Sequence, residues 1–171
     1  MDAAFEPLRR QYPRRAKDLL GPLLGLLAKA REACAGDMDT ALILLVLAIR
    51  AAEHPEFAGL SYQRVETGDL KKVPSLPINV RSLAESMGMP KETVRRKVQA
   101  LIRHGLIVRE GRSLRYAPAA LVTLSPVCEA IIRQAVANHA TVETALRAAA
   151  NETMAWPNVG PMAGEARNVR R

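Results

Sequence analysis

Apolar and polar positions follow different rhythms in successive parts of this chain. The first fifteen or so residues look loose and basic. From Lys17 to Ala35 apolar residues recur at helical spacing, with weak points at Gly21, Pro22 and Gly25. Pro22 would kink such a helix or mark its true start, and Gly36-Asp37 ends it. Asp39 or Thr40 caps the next helix, which runs to about His54 before Pro55. Leu42 to Leu47 and Ile49 make that helix apolar on every face, so it belongs at the centre of the fold or in an oligomer interface. The rhythm breaks between Phe57 and Pro77, a stretch holding Gly59, Gly68, Pro74 and Pro77. There Tyr62–Val65 and Leu70–Val73 flank a Thr67-Gly68-Asp69 turn signal, and read as a short hairpin or a surface loop.

The pattern is most informative from Ile78 to Ala117. Asn79 caps a short helix with Leu83, Ala84 and Met87 inward, and the small Ala84 lets a second helix cross closely. Gly88 supplies a sharp turn, Met89 plugs the gap, and Pro90 sits at the boundary of a second helix over about 91–104, ended by Gly105. At about 100° per residue, Val94, Val98, Leu101 and Ile102 form one buried stripe. Glu92, Arg96, Gln99 and Arg103 lie opposite, with Thr93 and Arg95 on the flanks. Two short strands follow, at 106–110 and 114–117, joined by a Gly111-Arg112-Ser113 turn. Ser125-Pro126 then reads as the start of a further helix, Asn138 to Thr141 as a place where it splits, with Thr141 a second cap. The residues from 154 on read as a disordered tail.

Composition narrows the function. Hydrophobic residues make up 49% of the 171, enough for a real core, and two cysteines exclude a disulfide scaffold. No basic region followed by an apolar run opens the chain, and the longest apolar run, Ala41 to Ile49, is too short to span a bilayer. A soluble, cytoplasmic protein without a membrane partner is expected. The formal charge is +8. Residues 78–117 hold nine bases and three acids, so +6 of that excess is concentrated in one small module. Such a concentration suits neutralisation of phosphates. Aromatic residues at 4% are too few for stacking platforms that bind single strands.

The helix–turn–helix with its hairpin resembles the winged helix-turn-helix domain of bacterial transcriptional regulators. The run from Val80 to Val108 is similar to the multiple-antibiotic-resistance, gluconate and isocitrate-lyase regulator families. The shared features are Leu83-Ala84, Gly88, Thr93-Val94-Arg95 and Gly105-Leu106-Ile107. Pro90 stands where those families commonly carry Ser or Thr, and the segment 57–77 exceeds their usual connection. The resemblance implies a mainly α fold: a winged core at 39–120, an N-terminal basic segment and helix at 1–38, and C-terminal helices at 121–153. It implies sequence-specific binding of double-stranded DNA, with the helix 91–104 in the major groove. Arg95, Arg96 and Gln99 would reach bases or adjacent phosphates, and Lys91 and Thr93 would hold the backbone at the helix start. Arg103 would reach phosphate, and Arg112 and Arg115 in the wing would touch phosphate or the minor groove. One module buries too little surface for tight binding, so a homodimer is expected, through helices 18–35, 40–54 or 126–150.

Other chemistry finds little support. His54, His104 and His139 are isolated, so no metal site is expected, nor any cofactor. No nucleophile–base order, phosphate-binding glycine loop or carboxylate pair marks an enzyme. Cys34 and Cys128 fall near apolar helical positions and read as buried, inert thiols. A protein-interaction adaptor in a replication, segregation or phage-derived complex is the alternative. A structured RNA partner suits the outward helix less well, because the A-form major groove is narrow.

Overall fold

The computed structural model describes residues 4–154. The elements in order are α1 (Phe5–Ala33), α2 (Met38–Ala52), α3 (Tyr62–Thr67), α4 (Val80–Met87), α5 (Lys91–Arg103), β1 (Ile107–Glu110), β2 (Ser113–Tyr116) and α6 (Pro118–Met154). The protein is mainly α with one small antiparallel hairpin. Its chain divides into two compact units, residues 4–19 with 137–154, and residues 20–136. The tail expected from 154 onward lies, but for Met154, outside the described residues.

In the larger unit the core forms where inward stripes of four helices meet the hairpin. Ala41, Ile43, Leu44, Leu47 and Ala51 come from α2, Leu83 and Ala84 from α4, and Val94, Val98 and Leu101 from α5. Ile107, Leu114 and Tyr116 of the hairpin and Ala120, Leu121, Leu124 and Val127 of α6 complete it. Strand register pairs Ile107 with Tyr116 and Glu110 with Ser113 around the Gly111 turn, where φ is +61°. Ile78 bridges to Leu114, extending the hairpin by one residue on its other edge. The Tyr116 hydroxyl donates to the Ala120 carbonyl at 3.0 Å, which satisfies the one polar atom of a buried ring.

Several expectations are corrected. The basic N-terminus is not loose, because α1 begins at Phe5. In the smaller unit its start lies along the end of α6, where Gln11 Nε2 donates to the Ala145 carbonyl at 3.1 Å. Packing there overrides the poor helix propensity of Pro13 and the residues around it. The cap of α2 is Asp37, whose side chain accepts from the Thr40 amide, two or three residues earlier than expected. Nor is α2 covered all round, since Leu42 and Ile49 are exposed.

No hairpin forms at 62–73. Ser61 caps α3, and Gly68, the supposed turn residue, ends it at φ +64°. A Cβ at Gly68 would stand 3.0 Å from the Pro118 carbonyl oxygen and 2.7 Å from Val122 Cγ2, so glycine is demanded by both backbone and space. Ser125-Pro126 does not start a helix either. Pro126 lies inside α6, whose buried positions Leu121, Leu124 and Val127 continue through it as one stripe. Burial of that stripe outweighs the loss at the proline, about 3 kcal/mol in an isolated helix. Thr141 does not cap a new helix but donates back to the Ala137 carbonyl within α6. By length and composition, Pro118–Asn151 is apolar enough to cross a membrane, a property hidden when only uninterrupted apolar runs are counted.

Candidate nucleic-acid interface

The outward face of α5 follows from how its inner face is held. Asn79 accepts from the Ser82 amide at 2.9 Å and starts α4; Gly88, at φ +61°, ends it. The Met89 amide donates to the Ala84 carbonyl at 3.0 Å and turns the chain into α5. Pro90 stands at the start of α5 and gives its first-turn amides no side-chain acceptor. With Val94, Val98 and Leu101 buried, Lys91, Arg95, Arg96, Gln99 and Arg103 all emerge to solvent, and Thr93 is half-buried. Arg109 and Arg112 are exposed on the hairpin.

Counting charges from sequence treats all nine bases of residues 78–117 alike, and the structure divides them. Arg81 Nε donates to Glu85 at 2.8 Å. Arg95 binds Glu92 with two hydrogen bonds, from Nε at 2.8 Å and from Nη2 at 2.7 Å. Lys97 is half-buried and bridges Asp37 at 2.5 Å and Asp39 at 3.5 Å. Arg115 is half-buried too: Nε donates to Glu110 at 2.6 Å and Nη1 to the Ser75 carbonyl. Arg115, expected at phosphate or in the minor groove, therefore has its guanidinium turned to the protein itself. Among the described residues, Lys91, Arg96, Arg103, Arg109 and Arg112 find no side-chain hydrogen bond or ion pair. Sequence reasoning counted Arg109 in the charge but did not single it out; the signal was its strand position in a basic hairpin.

Two anchors fix these groups relative to one another. Glu110 accepts from both Lys72, at 2.7 Å, and Arg115, and these partners hold its carboxyl below the usual range. The hairpin is thus tied to the segment before α4. The second anchor is Lys97 on Asp37, which joins α5 to the N-cap of α2. Burial alone would push the Asp37 carboxyl up, but hydrogen bonds from Lys97 and Thr40 and the Lys97 charge outweigh it and hold it at about 2. The same pair raises Lys97.

This second anchor gives a pH test. The folded Asp37 value lies below the unfolded one of about 3.9, so its stabilisation is full above that pH and is lost as pH falls toward 2. Asp37→Asn keeps a capping oxygen but removes the charge; Asp37→Ala removes both and costs about 1 kcal/mol more. In denaturant titrations, the gap between wild type and Asp37→Asn is expected to be level above about pH 5 and to close between about pH 4 and 2. A gap unchanged by acid would show that the Lys97 pair contributes nothing.

A groove of about 670 Å³ lies beside the hairpin turn, lined among others by Arg50, Asn79, Ser82, Ser86 and Arg112. Among the described residues no group of three or more His, Cys, Asp or Glu is placed to hold a metal ion. Cys34 and Cys128 are free thiols whose burial raises both above the usual range, away from reactivity. Comparison with known protein families, with curated proteins and with solved structures gives no match for this chain.

Proposed function

We propose that this protein is a winged helix-turn-helix regulator of transcription that binds double-stranded DNA sequence-specifically. In this reading α4 and α5 are the helix-turn-helix, α5 enters the major groove, and β1–β2 is the wing. One observation carries it: α5 buries Val94, Val98 and Leu101 completely or nearly so while Arg96, Gln99 and Arg103 stand exposed on the face opposite, unpaired among the described residues. A helix held from behind by core packing, with its long donors uncommitted, suits bidentate readout of guanine and adenine edges. Arg95 joins this face through an ion pair that leaves part of its guanidinium free. Lys91 and Arg103 reach backbone phosphate, Thr93 steadies the helix start, and Arg112, with Arg109 beside it, approaches phosphate from the wing.

The functional unit in this reading is a homodimer on a pseudo-palindromic site. Leu20, Leu23, Leu24 and Leu27 form an exposed stripe on α1, with Leu24 68% exposed, and such a stripe suits an interface between protomers. The protein needs no cofactor for this role and is not an enzyme. The test is selection of duplexes by the pure protein, followed by affinity measurement across a salt series. Binding is expected to weaken steeply as salt rises, because bound protein displaces counterions. A stable protein partner with no retardation of any duplex would instead favour the adaptor reading, to which the same leucine stripe would lend a docking surface.

A further inference from the structure

We propose that Glu92 is a specificity-determining residue that presets Arg95 for one guanine, an inference that rests on the DNA-binding reading above. Glu92 lies in the first turn of α5, 75% exposed, and among the described residues its carboxylate is hydrogen-bonded by Arg95 alone. Both of its oxygens are engaged by a single side chain: Oε2 accepts from Arg95 Nε and Oε1 from Arg95 Nη2. A guanidinium has two edges that can donate a parallel pair of hydrogen bonds. Glu92 occupies the edge made by Nε and Nη2. The edge made by Nη1 and Nη2 has its Nη1 without a hydrogen bond or ion pair to any described residue, and it is the one left to meet guanine O6 and N7.

Three consequences follow from the fork. The ion pair favours one placement of the Arg95 guanidinium before the duplex arrives, so less freedom is lost on binding. Two bonds orient the plane of the guanidinium, and an oriented plane discriminates better than a free cation, which would settle on any phosphate. Glu92 also carries a negative charge into a face that otherwise draws in phosphate. Lys91, Arg95 and Arg96 around it keep that carboxyl ionised, below its usual range, with the Arg95 hydrogen bonds the largest cause. It therefore weakens binding to DNA that does not offer Arg95 its guanine.

The experiment uses the full chain, the selected duplex, single-base variants of it and an unrelated duplex. Arg95→Ala is expected to erase the preference for one G·C pair, about tenfold. Glu92→Gln breaks the fork, since an amide nitrogen cannot accept. It is expected to lower discrimination at that same pair about fivefold while raising affinity for unrelated duplex about two- to threefold. Added to Arg95→Ala, it should change discrimination at that pair no further. A residue acting only as a helix ion pair would shift melting slightly and leave the ratio between duplexes alone. Discrimination within twofold of wild type for Glu92→Gln, with duplex still bound, would overturn the inference. Failure of the wild type to bind any duplex is a different result: it removes the DNA-binding reading and this inference with it.

Discussion

Arg95 and Arg96 replaced together by alanine are expected to leave a folded protein that binds its selected duplex about thirty- to a thousandfold more weakly, equivalent to about 2–4 kcal/mol. Neither side chain enters the core, and among the described residues Arg95 pairs with Glu92 alone, in an exposed ion pair of the kind that adds little to stability. Loss of stability therefore cannot account for so large a loss of binding. The salt dependence separates the parts: for every phosphate contact removed, the slope of log affinity against log salt should fall by about 0.9. If Arg96 touches phosphate and Arg95 a base, Arg96→Ala alone flattens the slope and Arg95→Ala alone relaxes sequence preference. Arg115→Ala makes a contrast, since its guanidinium is tied to Glu110 and Ser75 and its loss should act through the placement of the hairpin. Binding that withstands the double substitution at every salt concentration would remove α5 from the interface.

The second large effect concerns stability. Leu114 is fully buried on β2, faces Arg109 in register and exchanges two backbone hydrogen bonds with Ile78, at 2.7 and 3.4 Å. Leu114→Ala leaves those bonds in place but opens a cavity between hairpin and helices. It is expected to cost about 2–5 kcal/mol in denaturant unfolding, with the slope against denaturant unchanged. Leu24→Ala removes the same atoms from an exposed site and should cost no more than about 0.5 kcal/mol in the isolated chain. Equal costs at the two positions would mean that the hairpin root is not part of the core.

Residues 78–117 were legible because each local signal there agrees with its neighbours. Asn79 caps, Gly88 and Gly105 take positive φ, and the apolar stripe of α5 keeps one period from Val94 to Ile102. Elsewhere a local signal had two meanings. Gly68 requires a left-handed backbone in a hairpin turn and at a helix end alike, and only the closeness of Pro118 and Val122 reveals which. Pro126 reads as a helix start unless the core on one side of α6 is known. Charges were the least legible, since Lys97 meets Asp37 sixty residues away and Arg115 meets Ser75 forty residues away. Ion pairs between distant elements leave no period in a sequence, so a count of arginines and lysines overstates what α5 and the hairpin offer to a partner.

The tether of the hairpin through Glu110 has a mechanical consequence. Lys72 and Arg115 clasp one carboxylate from two sides, and Arg115 also grips the chain at Ser75. The hairpin is thereby braced against the segment before α4 in the free protein. In the DNA-binding reading proposed above, a braced hairpin would pass a mismatch of curvature to the duplex, so base steps that yield easily would be favoured even where no side chain reaches them.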